Sequence, residues 1–465
     1  MNNLNLKISH AKTQDISRSQ IRYNILRLAW PVIVEMGLIT LVQIFDMMMV
    51  GHLGVDALNA IGLTLQPLML GMIIFNGLSV GTTALIARFI GERNREQASR
   101  TFQQSLLGST FLASLMSIVL YFIAPHILVI MGAETARVVK LGAGYIRWLI
   151  PGLFLQWIFI VISAALRGAG DTKTPMYVNI VINIINILGN YLLIFGVWIF
   201  PRMEVYGAGL ATSIARITGF ILLVILLHHP ETILKPNWKE FFKIDWFIMK
   251  RIIRIGIPAT LEQAILRIGQ TLYTRVVSTL GSVAFAAHTT AINAESISYM
   301  PGWGFSVAAT TMVGQKLGEG KPDEAEASGI ESLKFGCGVM AFMGIIFLIF
   351  PEFLMRLYID MSDPNARELI YLGARNLRIV ALAQIPMATQ FILAGGLRGA
   401  GYTKPVLYST MIGVWAGRLL SAYVFIFHFG WGLVGAWIAM CIDWFLRSAY
   451  VVYLWKKGEW KFTEI

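Results

Sequence analysis

The sequence is poor in charge, in cysteine and in recognisable catalytic motifs. Charged residues make up only 14% of the 465 residues and hydrophobic ones 56%, whereas soluble domains carry about 25% charge. This shortage excludes an ordinary soluble domain. The two cysteines, Cys337 and Cys441, lie in apolar runs and indicate neither a disulfide framework nor a metal site. The sequence contains no P-loop, HExxH motif or serine–histidine–aspartate arrangement, which argues against an enzyme and against direct use of a nucleotide.

Long apolar segments dominate the chain instead. About 20 apolar residues cross a bilayer core of roughly 30 Å as a helix, and no alternating pattern predicts a strand barrel. The sequence therefore predicts an all-α integral membrane protein with about 12 transmembrane helices. The predicted spans are residues 26–50, 62–87, 102–124, 139–166, 174–200, 206–228, 251–279, 285–313, 329–351, 370–397, 405–428 and 431–455.

The two halves of the sequence repeat each other. Residues 25–54 align with residues 252–281 at a constant offset of 227, and LRGAGDTK at 166–173 matches LRGAGYTK at 397–404. Two pseudo-symmetric six-helix lobes are therefore predicted, parallel to each other because each holds an even number of helices. The predicted parts are a polar cytoplasmic tail 1–20, an N-lobe 21–230, a cytoplasmic linker 231–250, a C-lobe 251–456 and a cytoplasmic tail 457–465.

Basic residues give the chain its formal net charge of +12, and they are scattered between apolar segments. They concentrate in the tail and in the loops that follow even-numbered spans, so the positive-inside rule places both termini in the cytoplasm. This pattern predicts a multi-pass protein of the cytoplasmic membrane. It argues against a nucleic-acid partner, because no single basic face is formed. We expect the lipid bilayer to be the partner and the protein to be a monomer.

Helix 1 carries two carboxylates, Glu35 and Asp46, eleven residues apart. Three helical turns separate them, so both project from nearly the same face. Ionisable groups within spans are costly and mark functional sites, and Asp46 is the stronger candidate. The second repeat keeps the first acid as Glu262 but has Tyr273 in place of Asp46, so the two lobes are chemically unequal.

Glu35 and Glu262 allow two interpretations at this stage. They can line a cavity and bind cations, or they can form structural ion pairs, with Arg267 on the same helix as a partner for Glu262. The repeat also aligns Gln43 with Gln270. All four residues are therefore candidates for a substrate cavity.

Helix 5 carries a stripe of asparagines at spacings of three and four: Asn179, Asn183, Asn186 and Asn190. Amide oxygens can coordinate a cation or brace a carboxylate, although such residues also hold helices together in membranes. We favour the functional interpretation. The arginines of the two LRGAG motifs, Arg167 and Arg398, are interpreted as structural loop anchors.

The sequence resembles the multidrug and toxic compound extrusion (MATE) transporters over about residues 20–455. The similar segments are WPxxxE and DMMMVGHLG in helix 1, ARFIGERN, ALRGAGDTKTP, NILGNYLLIFG, GAGLATSIAR, IPATLEQ and LRGAGYTKP. The resemblance implies a secondary antiporter that exports amphiphilic, often cationic, drugs or toxic compounds in exchange for H⁺ or Na⁺ by alternating access. It implies no cofactor beyond this coupling ion and no metal. A lipid-linked oligosaccharide flippase of related architecture is the alternative function.

The resemblance also implies a cation site in the N-lobe. Its residues here are Asp46, Tyr145, Asn186, Asn190 and Thr212. One branch of the family has an aspartate where this chain has Asn190, and another relies on an acid in helix 10 that QIPMATQF lacks. These departures leave Asp46 as the main coupling acid and leave the choice between H⁺ and Na⁺ open.

Overall fold

A computed structural model describes residues 2–229, 232–235 and 242–465, with the side chains of residues 2–17 and 55 excepted. Within these residues the chain is helical and contains no strand, as the sequence predicts. The α-helices are α1 (Asn2–Gly51), α2 (Val55–Gly91), α3 (Arg95–Ile130), α4 (Ala136–Gly168), α5 (Lys173–Phe195), α6 (Glu204–Leu227), α7 (Trp246–Ser278), α8 (Ser282–Gly318), α9 (Pro322–Ile349), α10 (Pro351–Arg356), α11 (Ala366–Ala381), α12 (Gln384–Gly399), α13 (Thr403–Met411), α14 (Ser421–Tyr423) and α15 (Gly432–Lys457).

Nine helical segments of the described chain are long and apolar enough to cross a membrane. The helices α7 and α8 have the length, with 33 and 37 residues, but are more polar. The pair α11 and α12 forms one further span that is bent by 55°. Its break follows from Pro386, because a proline ring clashes with the carbonyl four residues earlier, here that of Leu382. The predicted helix over 370–397 is therefore two helices.

The segment that begins with α13 runs without interruption to His428. Two stretches of it, Ile412–Leu420 and Val424–His428, are π-helical. Such wide turns are rare in proteins and occur often at functional sites.

The twelve-span, all-helical class is confirmed.

The chain divides into two compact units. Unit 1 comprises Met1–Ile33 and Leu261–Ile465, and unit 2 comprises Val34–Thr260. Both boundaries fall inside a helix, α1 or α7, at positions that the repeat makes equivalent. The units therefore differ from the lobes predicted from the sequence. The first part of α1 belongs to the unit that contains the second repeat, and the first part of α7 belongs to the unit that contains the first repeat.

Glycines permit the close packing of these leading segments. A Cβ atom on Gly77 of α2 would lie 2.8 Å from the carbonyl oxygen of Gly256 in unit 2. A Cβ atom on Gly304 of α8 would lie 3.1 Å from that of Ala29 in unit 1. The two contacts are equivalent in the repeat, so a glycine allows the same close approach of a neighbouring helix backbone in both units.

The helix α7 begins inside the segment predicted as a linker. Asp245 caps it, since its carboxylate accepts hydrogen bonds from the backbone N–H groups of Phe247 and Ile248 at 3.0 and 3.2 Å. Side-chain acceptors at this position satisfy amides that a helix leaves unpaired. Residues 231 and 236–241 of the predicted linker lie outside the described residues.

Candidate functional site

Four of the five residues expected at the cation site are joined by hydrogen bonds in unit 2. The Nδ2 group of Asn190 donates to Asp46 Oδ1 at 2.6 Å and also lies 3.4 Å from Asn186 Oδ1. Asn186 donates in turn to the hydroxyl of Thr212 at 3.0 Å. The helices α1, α5 and α6 thus bring one carboxylate, two amides and one hydroxyl together.

The fifth expected residue, Tyr145 of α4, is buried and interacts electrostatically with Asp46. The same two residues interact with Arg216, which sequence reasoning did not identify. Arg216 lies one helical turn after Thr212 on α6, and its buried Nη1 has no hydrogen-bond partner among the described residues. A buried arginine of α6 thus lies in the same part of unit 2 as the Asp46 carboxylate.

The asparagine stripe places α5 parallel to α1. Asn179 donates to Glu35 Oε1 at 2.7 Å, and this pair has the same sequence separation, 144, as Asn190 and Asp46. Both carboxylates of α1 thus accept hydrogen bonds from side-chain amides of α5 that are eleven residues apart. Parallel helices in register produce this pattern, because equal spacings along both keep the partners level.

Each LRGAG arginine neutralises a buried glutamate. Arg167 Nη1 lies 3.8 Å from Glu35 Oε2 in unit 2. In unit 1, Arg398 Nη1 lies 2.9 and 3.1 Å from the two carboxylate oxygens of Glu262. The structural interpretation of both arginines is compatible with these ion pairs, but the sequence did not identify the glutamates as their partners. The sequence suggested Arg267 as the partner of Glu262, because it is near on the same helix. The structure places Arg398, 136 residues away in the sequence, against Glu262.

Gln43 and Gln270 do not join these clusters. Both are exposed, and the side chain of neither takes part in a hydrogen bond within the described parts of the chain. Their place in a substrate cavity stays a prediction.

Unit 1 also contains a buried charge cluster that sequence reasoning missed. Asp443 of α15 is fully buried and is bound by two guanidinium groups. Arg418 Nη2 lies 2.8 Å from Asp443 Oδ2, and Arg447 Nε lies 2.7 Å from Asp443 Oδ1. The signal was present, because three charged residues inside the predicted spans 405–428 and 431–455 need partners.

The comparisons with known proteins agree over most of the chain. Residues 31–192 and 258–424 match the family model described as MatE. A probable multidrug resistance protein NorM from Thermotoga maritima is 33% identical over 450 residues, which cover 95% of this chain and 94% of the relative. An uncharacterized transporter, YisQ, from Bacillus subtilis is 28% identical over 439 residues, 94% of this chain and 95% of that one.

Solved structures resemble the fold at lower identity. An outward-facing MATE family multidrug resistance transporter superposes with a TM-score of 0.88 at 24% identity, over 95% of this chain and 97% of that one. A transporter of the MOP superfamily from Pyrococcus furiosus, described as having a binding pocket of reverse polarity, gives 0.87 at 23% identity over 96% and 97%. None of these matches supports the flippase alternative.

Proposed function

The chain belongs to the MatE family of multidrug efflux transporters, and we propose that it is a secondary antiporter. It exports amphiphilic, often cationic, compounds by alternating access and takes up H⁺ or Na⁺ in exchange. It acts as a monomer in the cytoplasmic membrane, with both termini in the cytoplasm. It needs no cofactor beyond the coupling ion.

The Asp46 site supports this proposal most directly. A half-buried carboxylate accepts one hydrogen bond, from Asn190 at 2.6 Å, and Asn186 and Thr212 continue the polar chain behind it. Carboxylate, amide and hydroxyl oxygens are the ligands that hard cations prefer, and the carboxylate alone suffices for a proton. Asp46 is therefore the group whose occupancy changes during the cycle.

Coupling requires that the cation and the substrate favour different conformations. A ligand shifts a two-state equilibrium only through its differential affinity for the two states. Cation binding at Asp46 and substrate binding must therefore favour different states of the transporter.

An ion gradient supplies enough free energy for export. One charge moving down 100 mV yields about 2.3 kcal/mol, while a tenfold solute gradient costs about 1.4 kcal/mol. One coupled cation at that voltage therefore sustains roughly a 40-fold gradient of a neutral solute.

The test is efflux of a cationic dye from a drug-sensitive host that expresses Asp46→Asn. We expect the rate to fall at least about tenfold at equal expression, because the amide cannot exchange a cation. The matched control is Asp56→Asn, which removes a half-exposed aspartate that lies 3.5 Å from Arg137. Efflux from Asp46→Asn at the rate of wild type would remove Asp46 from the mechanism.

A further inference from the structure

A groove of about 500 Å³ lies between α3 and α4 in unit 2, beside the loop that joins the two helices. Its floor and walls are both apolar and basic. The side chains that matter for its chemistry are Pro125 and Val129 of α3, and Val139, Lys140, Ala143 and Arg147 of α4. The groove is separate from the Asp46 site, since none of the residues joined to Asp46 lines it.

The length of α4 places this groove at the edge of the hydrocarbon core. The helix has 33 residues, which at 1.5 Å per residue make about 50 Å, whereas the core is roughly 30 Å thick. About 10 Å of helix therefore extends beyond the core at each end. Lys140 lies about 6 Å and Arg147 about 16 Å from the start of α4, so the groove spans the boundary between headgroups and acyl chains.

The two basic residues of the groove lie on one face of α4. Seven residues separate Lys140 from Arg147, which is almost two full turns. Side chains in a helix lean toward its N-terminus, and here that end is the one nearer to the groove's opening. Arg147 is thus directed toward the level of Lys140 and the headgroup region, as long basic side chains in membranes commonly are.

Neither base is neutralised within the described residues. Arg147 Cζ lies 5.4 Å from the ring centroid of Tyr121 on α3, a cation–π contact that holds the guanidinium against α3 without a hydrogen-bond acceptor. Lys140 has no ion pair in the described part of the chain. Glu134 is the one acid in the lining, and in the same residues it pairs with neither base. The lining therefore keeps an excess of positive charge.

An apolar stripe continues the groove along α3 toward the membrane interior. Ile118, Phe122 and Val129 are 58%, 71% and 61% exposed, and their spacings of four and seven put them on one face together with Pro125. Pro125 and Val129 line the groove itself. The stripe offers about 16 Å of helix surface to an acyl chain, which a small free anion would leave uncovered.

We propose that this groove is a binding site for one anionic phospholipid. The phosphate accepts hydrogen bonds from the ammonium group of Lys140 and the guanidinium group of Arg147, whose planar donors fit a phosphate. An acyl chain lies along Ile118 and Phe122. A headgroup with a net negative charge offsets the excess positive charge of the groove, whereas a choline headgroup would add another cation. Lipid binding here does not depend on the antiport function.

The test measures the dissociation constant of the first bound lipid by native mass spectrometry of the purified full chain in detergent. Phosphatidylglycerol and phosphatidylcholine with identical chains are compared. We expect wild type to bind phosphatidylglycerol about 30-fold more tightly, a ratio that corresponds to about 2 kcal/mol, or about 1 kcal/mol for each basic residue.

The variant Lys140→Gln/Arg147→Gln should lose this preference. Both side chains are exposed, so we expect the fold to be retained. The matched control is Arg137→Gln/Arg202→Gln, which removes the same charge from two arginines that already lie 3.5 Å from Asp56 and 3.3 Å from Glu204. The control should keep the wild-type preference.

Three outcomes would overturn the proposal. Equal affinity of wild type for the two lipids would mean that the groove holds only ordinary solvating lipid. An unchanged preference in Lys140→Gln/Arg147→Gln, or an equal loss in the control, would place the bound lipid elsewhere. Displacement of phosphatidylglycerol by an equal concentration of glycerol 1-phosphate would make this a site for a free phosphate ester.

A second measurement needs no variant. Wild type in bilayer nanodiscs is irradiated with phosphatidylglycerol that carries a diazirine in its acyl chain, and the labelled peptides are identified by mass spectrometry. We expect labelling of the segment 118–129 that excess phosphatidylglycerol suppresses and excess phosphatidylcholine does not. Equal suppression by both lipids, or no label in that segment, would refute the proposal.

Discussion

Replacing Arg398 by leucine removes the guanidinium that neutralises Glu262 in the interior of unit 1. Arg398 Nη1 lies 2.9 and 3.1 Å from the two carboxylate oxygens, and Glu262 is only 3% exposed. Removing one partner of a buried ion pair costs about 3–5 kcal/mol, because the other charge stays buried and uncompensated. We expect Arg398→Leu to lower the ratio of folded to unfolded protein by roughly two to four orders of magnitude.

The repeat provides an internal comparison in Arg167→Leu. Arg167 Nη1 is 3.8 Å from Glu35, and Asn179 still donates to Glu35 at 2.7 Å after the substitution. At an effective dielectric constant of about 20, the gross attraction at the longer distance is weaker by roughly 1 kcal/mol. The loss of stability should therefore be smaller in Arg167→Leu than in Arg398→Leu.

The assay is unfolding in detergent micelles by increasing SDS, followed by tryptophan fluorescence. The double variant Glu262→Gln/Arg398→Leu should regain at least half of the lost stability, because the uncompensated charge is gone. A loss below about 1 kcal/mol in Arg398→Leu, which is the usual worth of an exposed pair, would refute the reasoning. A double variant as unstable as the single one would refute it as well.

Two further predictions concern packing and charge in unit 1. Gly399→Ala should destabilise the protein by about 1–3 kcal/mol, because the added Cβ atom would run into the carbonyl oxygen of Thr310. The control is Gly338→Ala, which has open space around it and should stay within about 1 kcal/mol of wild type in the same unfolding assay. Asp443→Asn should lower the stability more than Arg418→Leu does, because it leaves two buried guanidinium groups without their carboxylate. In Arg418→Leu, Arg447 still compensates the charge of Asp443. Equal losses of stability in the two variants would contradict the shared-carboxylate arrangement.

The sequence predicts the helices well because a bilayer leaves few alternatives. A spanning segment must be apolar, long enough and hydrogen-bonded within itself, and each of these demands is visible along the chain. The break before Gln384 escaped prediction because the span over 370–397 was drawn from its length and average hydropathy, which do not report a bend, although Pro386 lies within it. The exchanged first parts of α1 and α7 escaped as well, because a repeat states which segments correspond and not where they pack.

The sequence also predicts some contacts of the candidate site and misses others. The stripe from Asn179 to Asn190 predicts the amides that face the acids of α1, because one helix and one spacing decide it. The partners of Glu35 and Glu262 come from 132 and 136 residues away in Arg167 and Arg398, and no local rule reaches that far.

The boundaries of the two units, inside α1 at Ile33 and inside α7 at Leu261, have a consequence for how such a chain can arise. A polypeptide holding a single copy of the repeat would lack the segment that completes its own packing and would offer one that fits a twin. We therefore expect a single copy of the repeat to fold only with a second copy that supplies its opening segment, and we expect neither half of this protein to fold when it is expressed by itself.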